Sequence, residues 1–252
     1  MAIFFKRIRG SILFYLLLAF FYACNLNPAR EKEDPYNGVR RAYNADGSLL
    51  AQVSYKDSLR NGLSQHFYRS GKVQLEVNYV NDLKQGNEVM YYENGDLYQV
   101  TPFIDGERSG IQKKYYEGGI LMAEIPFEKN ERIEGLKEYA KDGKLLTRET
   151  RIRFQLIDRT AFEDRFDLIY TLTDGPQNIK YSRYVLDDAG QVLGSIDLTT
   201  IDGKASESFH LAPGRSLRQK IIVRAERKTR LGNQEIITGT YHLSVENKKR
   251  FR

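Results

Sequence analysis

A fixed period constrains this chain more than any other feature. Gly47, Gly71, Gly95, Gly119 and Gly143 recur every 24 residues, and Gly38, Gly62, Gly86, Gly110 and Gly135 recur at 24, 24, 24 and 25. Other columns keep the same step. Tyr43, Phe67, Tyr91, Tyr115 and Tyr139 stand four residues before the first glycine set. Leu49, Val73, Leu97, Leu121 and Leu145 stand two after it, and Tyr55, Tyr79, Phe103 and Phe127 stand eight after it. Self-similarity of this kind marks one small unit stacked many times.

The unit reads as a β-hairpin. Before each glycine of the first set stands Asp46, Ser70, Asn94, Gly118 or Asp142, residues of tight turns, where glycine accepts a positive φ without a Cβ clash. After the turn the chain alternates. Val73, Leu75, Val77 and Tyr79 are apolar, with Gln74, Glu76 and Asn78 between them, and Leu121, Ala123, Ile125 and Phe127 repeat the pattern. Period-two alternation with β-branched and aromatic residues predicts half-buried strands. Polar second turns follow at Asp57–Gly62, Asn81–Gly86 and Asp105–Gly110. A lone hairpin is marginal in water, so the units must pair side by side in one sheet.

The pattern G-x-x-x-x-[YF]-Y-x-x-G-x-[LV], then a polar gap and an aromatic, resembles the variant MORN repeat of bacterial proteins. Gly62, Phe67, Tyr68, Gly71, Val73 and Tyr79 carry it in one copy, and Gly86, Tyr91, Tyr92, Gly95, Leu97 and Phe103 in the next. The first copy, with Asn44 for the second aromatic, and the last, with Ala140 there and Arg151 at the late aromatic position, depart from it, as terminal repeats of a stack do. The resemblance implies an elongated, twisted antiparallel sheet of hairpins. Similar repeats occur in proteins labelled antitoxin-like, which implies neutralisation of a partner toxin as one alternative role.

Residues 1–23 read as a signal peptide: Lys6, Arg7 and Arg9 precede an apolar run from Ser11 to Ala23, shorter than the ~20 residues that span a bilayer. Cys24, the only cysteine, follows that run and looks like the cleavage and lipidation site of a bacterial lipoprotein. A simple cleaved signal and an uncleaved anchor are the other readings. Acyl chains, at about 0.8 kcal/mol per buried CH₂, would then hold the protein to a membrane, expected to be the outer membrane of a Gram-negative cell envelope. Residues 24–36 form a polar tether with two prolines, and residues 37–149 are the array.

Residues 150–252 lose the beat. Runs of β character at Arg151–Ile157, Arg165–Thr173, Ile179–Leu186, Ser195–Thr200, Ser206–Leu211, Gln219–Arg227 and Glu235–Val245 alternate with turn signals such as Asp202-Gly203 and Gly232-Asn233. Seven short strands predict a small, immunoglobulin-like β-sandwich; a second open sheet continuing the array is the competing reading. The fold class is therefore all-β, an elongated antiparallel sheet of stacked 24-residue MORN-like hairpins followed by a small β-sandwich.

Catalysis finds little support. His66, His210 and His242 are scattered, with no repeating partner, and the one cysteine is used by the export signal. No nucleophile elbow, zinc-helix motif or phosphate loop occurs. Adjacent carboxylates such as Glu163-Asp164 and Asp187-Asp188 sit in turn-like segments, where solvation is the usual explanation. The expectation is no enzyme, no cofactor and no metal. The net charge of +6 suggests nucleic acid, but the signal segment supplies three of those charges and export argues against it. The basic excess at Arg215–Arg230 and Lys248–Arg252 fits an acidic protein partner, anionic glycan or lipid head group better.

The doubled aromatics Phe67-Tyr68, Tyr91-Tyr92 and Tyr115-Tyr116 give a candidate surface. Neighbours in a strand point to opposite faces. A three-residue loop would put Phe67, Tyr91 and Tyr115 with the leucines, and a two-residue loop would put Tyr68, Tyr92 and Tyr116 there. The dipeptides alone favour the shorter loop, but the earlier column is filled in all five copies, as a packing position would be, and so the longer loop is expected. On the longer loop, Tyr68, Tyr92 and Tyr116 form a ladder on the other face, either a cross-strand support or a binding surface for a peptide, glycan or lipid. The function expected is a membrane-anchored binding or scaffold protein using the repeat sheet, with the antitoxin-like role and an envelope enzyme acting on glycans or lipids as alternatives.

Overall fold

The computed structural model describes residues 37–146, 149–175 and 178–249. The first part is one antiparallel meander of eleven strands: β1 (Gly38–Tyr43), β2 (Leu49–Lys56), β3 (Leu59–Phe67), β4 (Val73–Val80), β5 (Leu83–Tyr91), β6 (Leu97–Ile104), β7 (Glu107–Arg108), β8 (Gly110–Tyr115), β9 (Leu121–Glu128), β10 (Glu131–Arg132) and β11 (Lys137–Glu138). From β1 to β6 each strand pairs with its sequence neighbour; β7 and β8 both pair with β6, β9 pairs with β8, and β10 and β11 both pair with β9, so the sheet grows by one hairpin per period.

The two rims are built from different turns. On one rim the loops have three residues. In the second copy the Tyr68 amide donates to the Lys72 carbonyl and the Gly71 amide to the Tyr68 carbonyl, both at 2.9 Å, with Gly71 at φ +81°. Copies at Asn44–Ser48, Tyr92–Asp96, Tyr116–Ile120 and Ala140–Lys144 repeat this pair of bonds. On the other rim the turns have two residues, Asp57-Ser58, Asn81-Asp82, Asp105-Gly106 and Lys129-Asn130, both at positive φ, as the twist-matching type I′ hairpin demands.

The longer loop is thus the one present, and Tyr91 pairs with Leu97, Phe67 with Val73 and Tyr115 with Leu121. The face assignment drawn from it needs one correction. A bulge separates Met90↔Gln99 from Tyr91↔Leu97. Alternation along β5 puts Glu88 and Met90 with Thr101 and Gln99, and Tyr91 on the opposite side. The earlier aromatics therefore keep company with the leucine two residues after the glycine, but not with the buried set further along the strand. A bulge inserts one residue and so exchanges faces, which a count of strict alternation cannot anticipate.

The buried set defines an inner face. It includes Ala51, Ser64, Val77, Tyr79, Thr101, Phe103 and Gln112, and it closes with Ala123, Ile125, Phe127 and Leu136 as a small core under the last hairpin. Opposite lies an outer face with a side-chain chain of its own: Gln52 Nε2 donates to Gln65 Oε1 (2.6 Å), Gln65 Nε2 to Glu76 Oε2 (3.2 Å), and the Tyr91 hydroxyl to Glu76 Oε1 (2.7 Å).

The second part is a β-sandwich. Its strands are β12 (Ile152–Asp158), β13 (Arg165–Leu172), β14 (Ile179–Leu186), β15 (Val192–Leu198), β16 (Thr200–Ile201), β17 (Lys204–His210), β18 (Ser216–Lys228) and β19 (Gln234–Glu246), with a single-turn helix α1 (Thr160–Glu163) after the first. One sheet runs β12-β13-β17-β16 and the other β15-β14-β18-β19. Taken in chain order, these are the A-B-E-D and C′-C-F-G sheets of an immunoglobulin-like sandwich. Leu168, Tyr170 and Ile152 of one sheet share a core with Tyr181, Ile221, Val223 and Leu243 of the other. The disulfide-and-tryptophan pin of antibody domains is replaced by aromatic packing: Phe154 stacks on Tyr241 (5.2 Å) and meets Tyr170 edge-on (5.7 Å). At Gly239 a Cβ would fall 3.0 Å from Ile152 Cβ and Phe154 Cζ, so only glycine lets β19 approach β12 this closely.

Candidate functional site

The tyrosine ladder runs along the three-residue-loop rim. The Tyr68 hydroxyl donates to the Tyr91 carbonyl (2.6 Å), that of Tyr92 to the Tyr115 carbonyl (2.8 Å) and that of Tyr116 to the Tyr139 carbonyl (2.9 Å). Each donor reaches 23 residues ahead, into the next repeat. The three hydroxyls are thus satisfied within the array, while their rings stay half-buried and Tyr92 also meets Tyr98 edge-on at 5.0 Å. Cys24 lies outside the described residues.

The other rim carries a column that the sequence reading passed over. Arg60, Lys84, Arg108 and Arg132 recur every 24 residues. Arg60 lies over the Tyr79 ring (4.2 Å), Lys84 over Phe103 (4.7 Å) and Arg108 over Phe127 (4.6 Å), and Arg132 closes on Phe127 from beyond (5.6 Å). Cation–π contacts of this kind are worth about 0.5–1 kcal/mol each at exposed sites. The Arg60 Nε also donates to Asp82 Oδ1 at 2.8 Å. That bond, followed by the hydrogen bond that the Arg60 backbone N–H donates to the same oxygen, holds the Asp82 carboxyl below its ordinary range. The signal is in the sequence, as a basic residue 19 before Tyr79, Phe103 and Phe127.

The inner face has two unlike ends. Over the last repeats it is covered by the turn that joins β18 to β19. Lys114 Nζ donates to Asn233 Oδ1 (2.9 Å) and Arg132 Nη1 to Gln234 Oε1 (2.6 Å). Glu138 Oε1 accepts from both Thr229 Oγ1 and Asn233 Nδ2 at 2.6 Å. Beside it, Glu134 accepts from the Thr238 hydroxyl at 2.6 Å. Glu138 and Asn233 are 5% and 3% exposed, so the contact is dry. Burial, then the charge of Arg132, lowers the Lys114 ammonium below its ordinary value, against a smaller upward pull from Glu138.

Over the first repeats the same face is an open cleft of about 390 Å³. Val53, Leu75, Val77, Tyr79 and Met90 form its apolar lining, and Arg60, Ser64, His66, Gln74, Lys84 and Glu88 its polar one. Lys84 is ion-paired with Glu88. Ser64 is 3% exposed, and its Oγ has no hydrogen-bond partner among the described residues.

The remaining residues weighed from sequence are dispersed. His66 sits on β3, His210 at the end of β17 and His242 on β19. Glu163 pairs with Arg165 (2.7 Å) and Asp164 with Lys249 (3.0 Å), and Asp187 holds its own turn by accepting from the Gln191 amide. Part of the basic excess of the sandwich is internally paired: Arg227 bonds Asp174 and Glu235, both at 2.6 Å, and Arg224 bonds Glu226 at 2.8 Å. Among the described residues, no group of three or more His, Cys, Asp or Glu side chains is placed to hold a metal, and no helix is long and apolar enough to cross a membrane.

Fold and surface together define an all-β repeat protein, a hairpin array whose inner face is partly occupied by its own sandwich. The repeats themselves can be named: four stretches, residues 36–57, 60–81, 84–105 and 108–129, match the model of the MORN repeat variant. A comparison with curated proteins gives no match. Among solved structures, the crystal structure of a tetra-tandem repeat in the extending region of a large adhesion protein aligns over 81% of this chain and 66% of its own length, just under two thirds, at 12% identity and a TM-score of 0.22. A TM-score that low carries no argument about shape or role.

Proposed function

We propose that this protein is a non-catalytic binding scaffold of the bacterial cell envelope, held to the outer membrane by lipid on Cys24, with the repeat sheet as its interaction surface. The observation that carries the reading is the uncovered inner face over the first repeats: a cleft lined by apolar residues together with cationic, amide and carboxylate groups, and a buried hydroxyl left unpaired. Buried polar groups are nearly always satisfied, so an unpaired hydroxyl in an open cleft is where a partner's polar group would be accommodated. The partner class is protein, with an anionic glycan or lipid as the other chemistry such a lining admits.

Fractionation and intact mass test the anchor. Full-length protein should stay with membranes through a high-salt wash, its mature N-terminus should carry acyl mass at Cys24, and Cys24→Ser should release or mislocalise it. Wild-type protein recovered wholly in the soluble fraction, or an unmodified Cys24 in the mature chain, would end the lipoprotein reading.

A further inference from the structure

The two ends of the inner face can be superimposed by the period itself. Counting back 48 residues from the covered end takes Lys114 to His66, Arg132 to Lys84 and Glu138 to Met90. At the covered end, Lys114 and Arg132 each donate to a side-chain carboxamide oxygen, those of Asn233 and Gln234. Two repeats earlier the same positions again carry nitrogen groups, His66 and Lys84, and both line the open cleft.

The column through Ser64 explains why the cleft is unsatisfied there. The equivalent residues one and two repeats on are Glu88 and Gln112. Glu88 reaches Lys84, and the Gln112 carboxamide reaches Thr101 Oγ1 at 2.8 Å. The position facing Ser64 in register, Val77, offers no polar side chain for its short hydroxyl to bond. The hydroxyl therefore stays buried and unmatched in a cleft also lined by His66 and Lys84, which stand at the repeat positions that grip carboxamides at the covered end.

We infer that the open cleft is a second docking site for a polar β-turn, one that presents Asn or Gln side chains, supplied by a partner protein. The occupant is chosen by continuity: one surface, built by one repeat, already holds a turn of that chemistry, and the chain's own turn is engaged at the other end. The carboxamide suits the site because it both donates and accepts. Its oxygen meets His66 or Lys84, and its NH₂ meets Ser64 Oγ or Glu88. A purely anionic group is less suited, since Lys84 is already paired with Glu88 and Arg60 with Asp82. The inference rests on the scaffold reading above and specifies where and by what chemistry the scaffold binds.

The probe is a cyclised hairpin peptide copying residues 224–238 of this chain, titrated against the mature protein. Saturable binding is expected. Ser64→Ala, which removes an already unpaired hydroxyl, should leave the melting temperature unlowered yet weaken the peptide about five- to tenfold, the usual worth of one hydrogen bond. His66→Ala, at an exposed position, should weaken it comparably. Lys114→Ala should leave it unchanged. Absence of saturable binding, indifference to both cleft substitutions, or loss only in Lys114→Ala, meaning that the peptide displaces the resident turn, would each overturn the inference. So would binding of chito-oligosaccharide, but not the peptide, with the same Ser64 dependence. The broader reading is separated by photo-crosslinking in cells. A crosslinker at position 66 that captures a partner, outcompeted by the hairpin peptide, supports the cleft. Capture only from position 93, on the loop rim, overturns the cleft and leaves the scaffold. Capture from neither overturns both.

Discussion

Removing the three rim hydroxyls together tests whether the tyrosine ladder is a clamp between repeats. In Tyr68→Phe/Tyr92→Phe/Tyr116→Phe, each ring stays in place and one donor to the next repeat disappears, from bonds of 2.6, 2.8 and 2.9 Å. A hydrogen bond of this kind contributes about 1 kcal/mol net. Successive ladder tyrosines are two strands apart, roughly 9–10 Å at the usual strand spacing, which is near the distance beyond which substitutions add independently. The triple variant should therefore be destabilised by roughly 3 kcal/mol. With a urea dependence of about 2 kcal/mol/M, its midpoint should fall by about 1.5 M. The chain has no tryptophan, so far-UV circular dichroism and tyrosine emission are the probes, and the slope should not change. A triple variant within about 0.5 kcal/mol of wild type would refute the clamp. If that variant or its serine counterpart also lost partner capture while folded, the ladder would be a contact surface instead.

Other expectations follow from single residues. The Tyr91 phenol is pushed up to about 12, first by its bond to Glu76 and then by burial. A raised tyrosine favours the protonated folded state, so its stabilisation is complete below the unfolded value near 10 and is lost as pH rises through 12; absorbance titration of wild type against Tyr91→Phe should show that late-ionising group disappear. Gly62 sits at φ +99° with a would-be Cβ 3.2 Å from Ser54 Cβ, so Gly62→Ala should cost about 1–3 kcal/mol and more than Gly71→Ala, whose Cβ would meet nothing within 4 Å. Glu138→Gln keeps the shape but removes the charge that two donors converge on. Amides of the β18–β19 turn should then exchange faster by hydrogen-exchange mass spectrometry, with the sandwich core still protected.

Much of the fold was legible because the period repeats one turn five times and the other four, and repetition averages out local ambiguity. Gly71 and its copies located one rim without error. Six of the seven sandwich runs match single strands within a few residues, Ile179–Leu186 with both ends as expected, since Asp202-Gly203 and Gly232-Asn233 break the chain between them; the run Ser195–Thr200 instead spans the crossing from β15 to β16, which lie in different sheets. Two things were hidden. The bulge at Met90/Tyr91 depends on loop twist, which alternation does not encode. The docking of Asn233 on Lys114 and Glu138 joins residues 119 and 95 apart, and no local pattern announces a tertiary contact between two unlike folds. The candidate site suffered most, because the ladder was sought among conspicuous aromatics while the open cleft is built from strand positions that look ordinary one at a time.

The columns suggest why the cleft lies where it does. In a stack of identical units every inner-face residue can be matched by its neighbour one repeat on, so a perfect repeat leaves nothing unsatisfied and no place for a partner. Positions where the column changes character break that closure. Gln112 meets Thr101 because the residue equivalent to Val77 has become polar there. Lys114 and Glu138, one period apart, are opposite in charge where His66 and Met90 are not, and the sandwich turn lands on that pair. Restoring the column should then erase the site: Val77→Thr supplies Ser64 with the partner that Thr101 gives Gln112. The substitution nearly preserves side-chain volume but places a hydroxyl at a buried position, which is tolerable only if the two hydroxyls bond each other. If the cleft binds through the orphaned Ser64, Val77→Thr should weaken the hairpin peptide about as much as Ser64→Ala does while stability is held. Undiminished binding in a folded Val77→Thr protein would mean that the unpaired hydroxyl has no part in recognition.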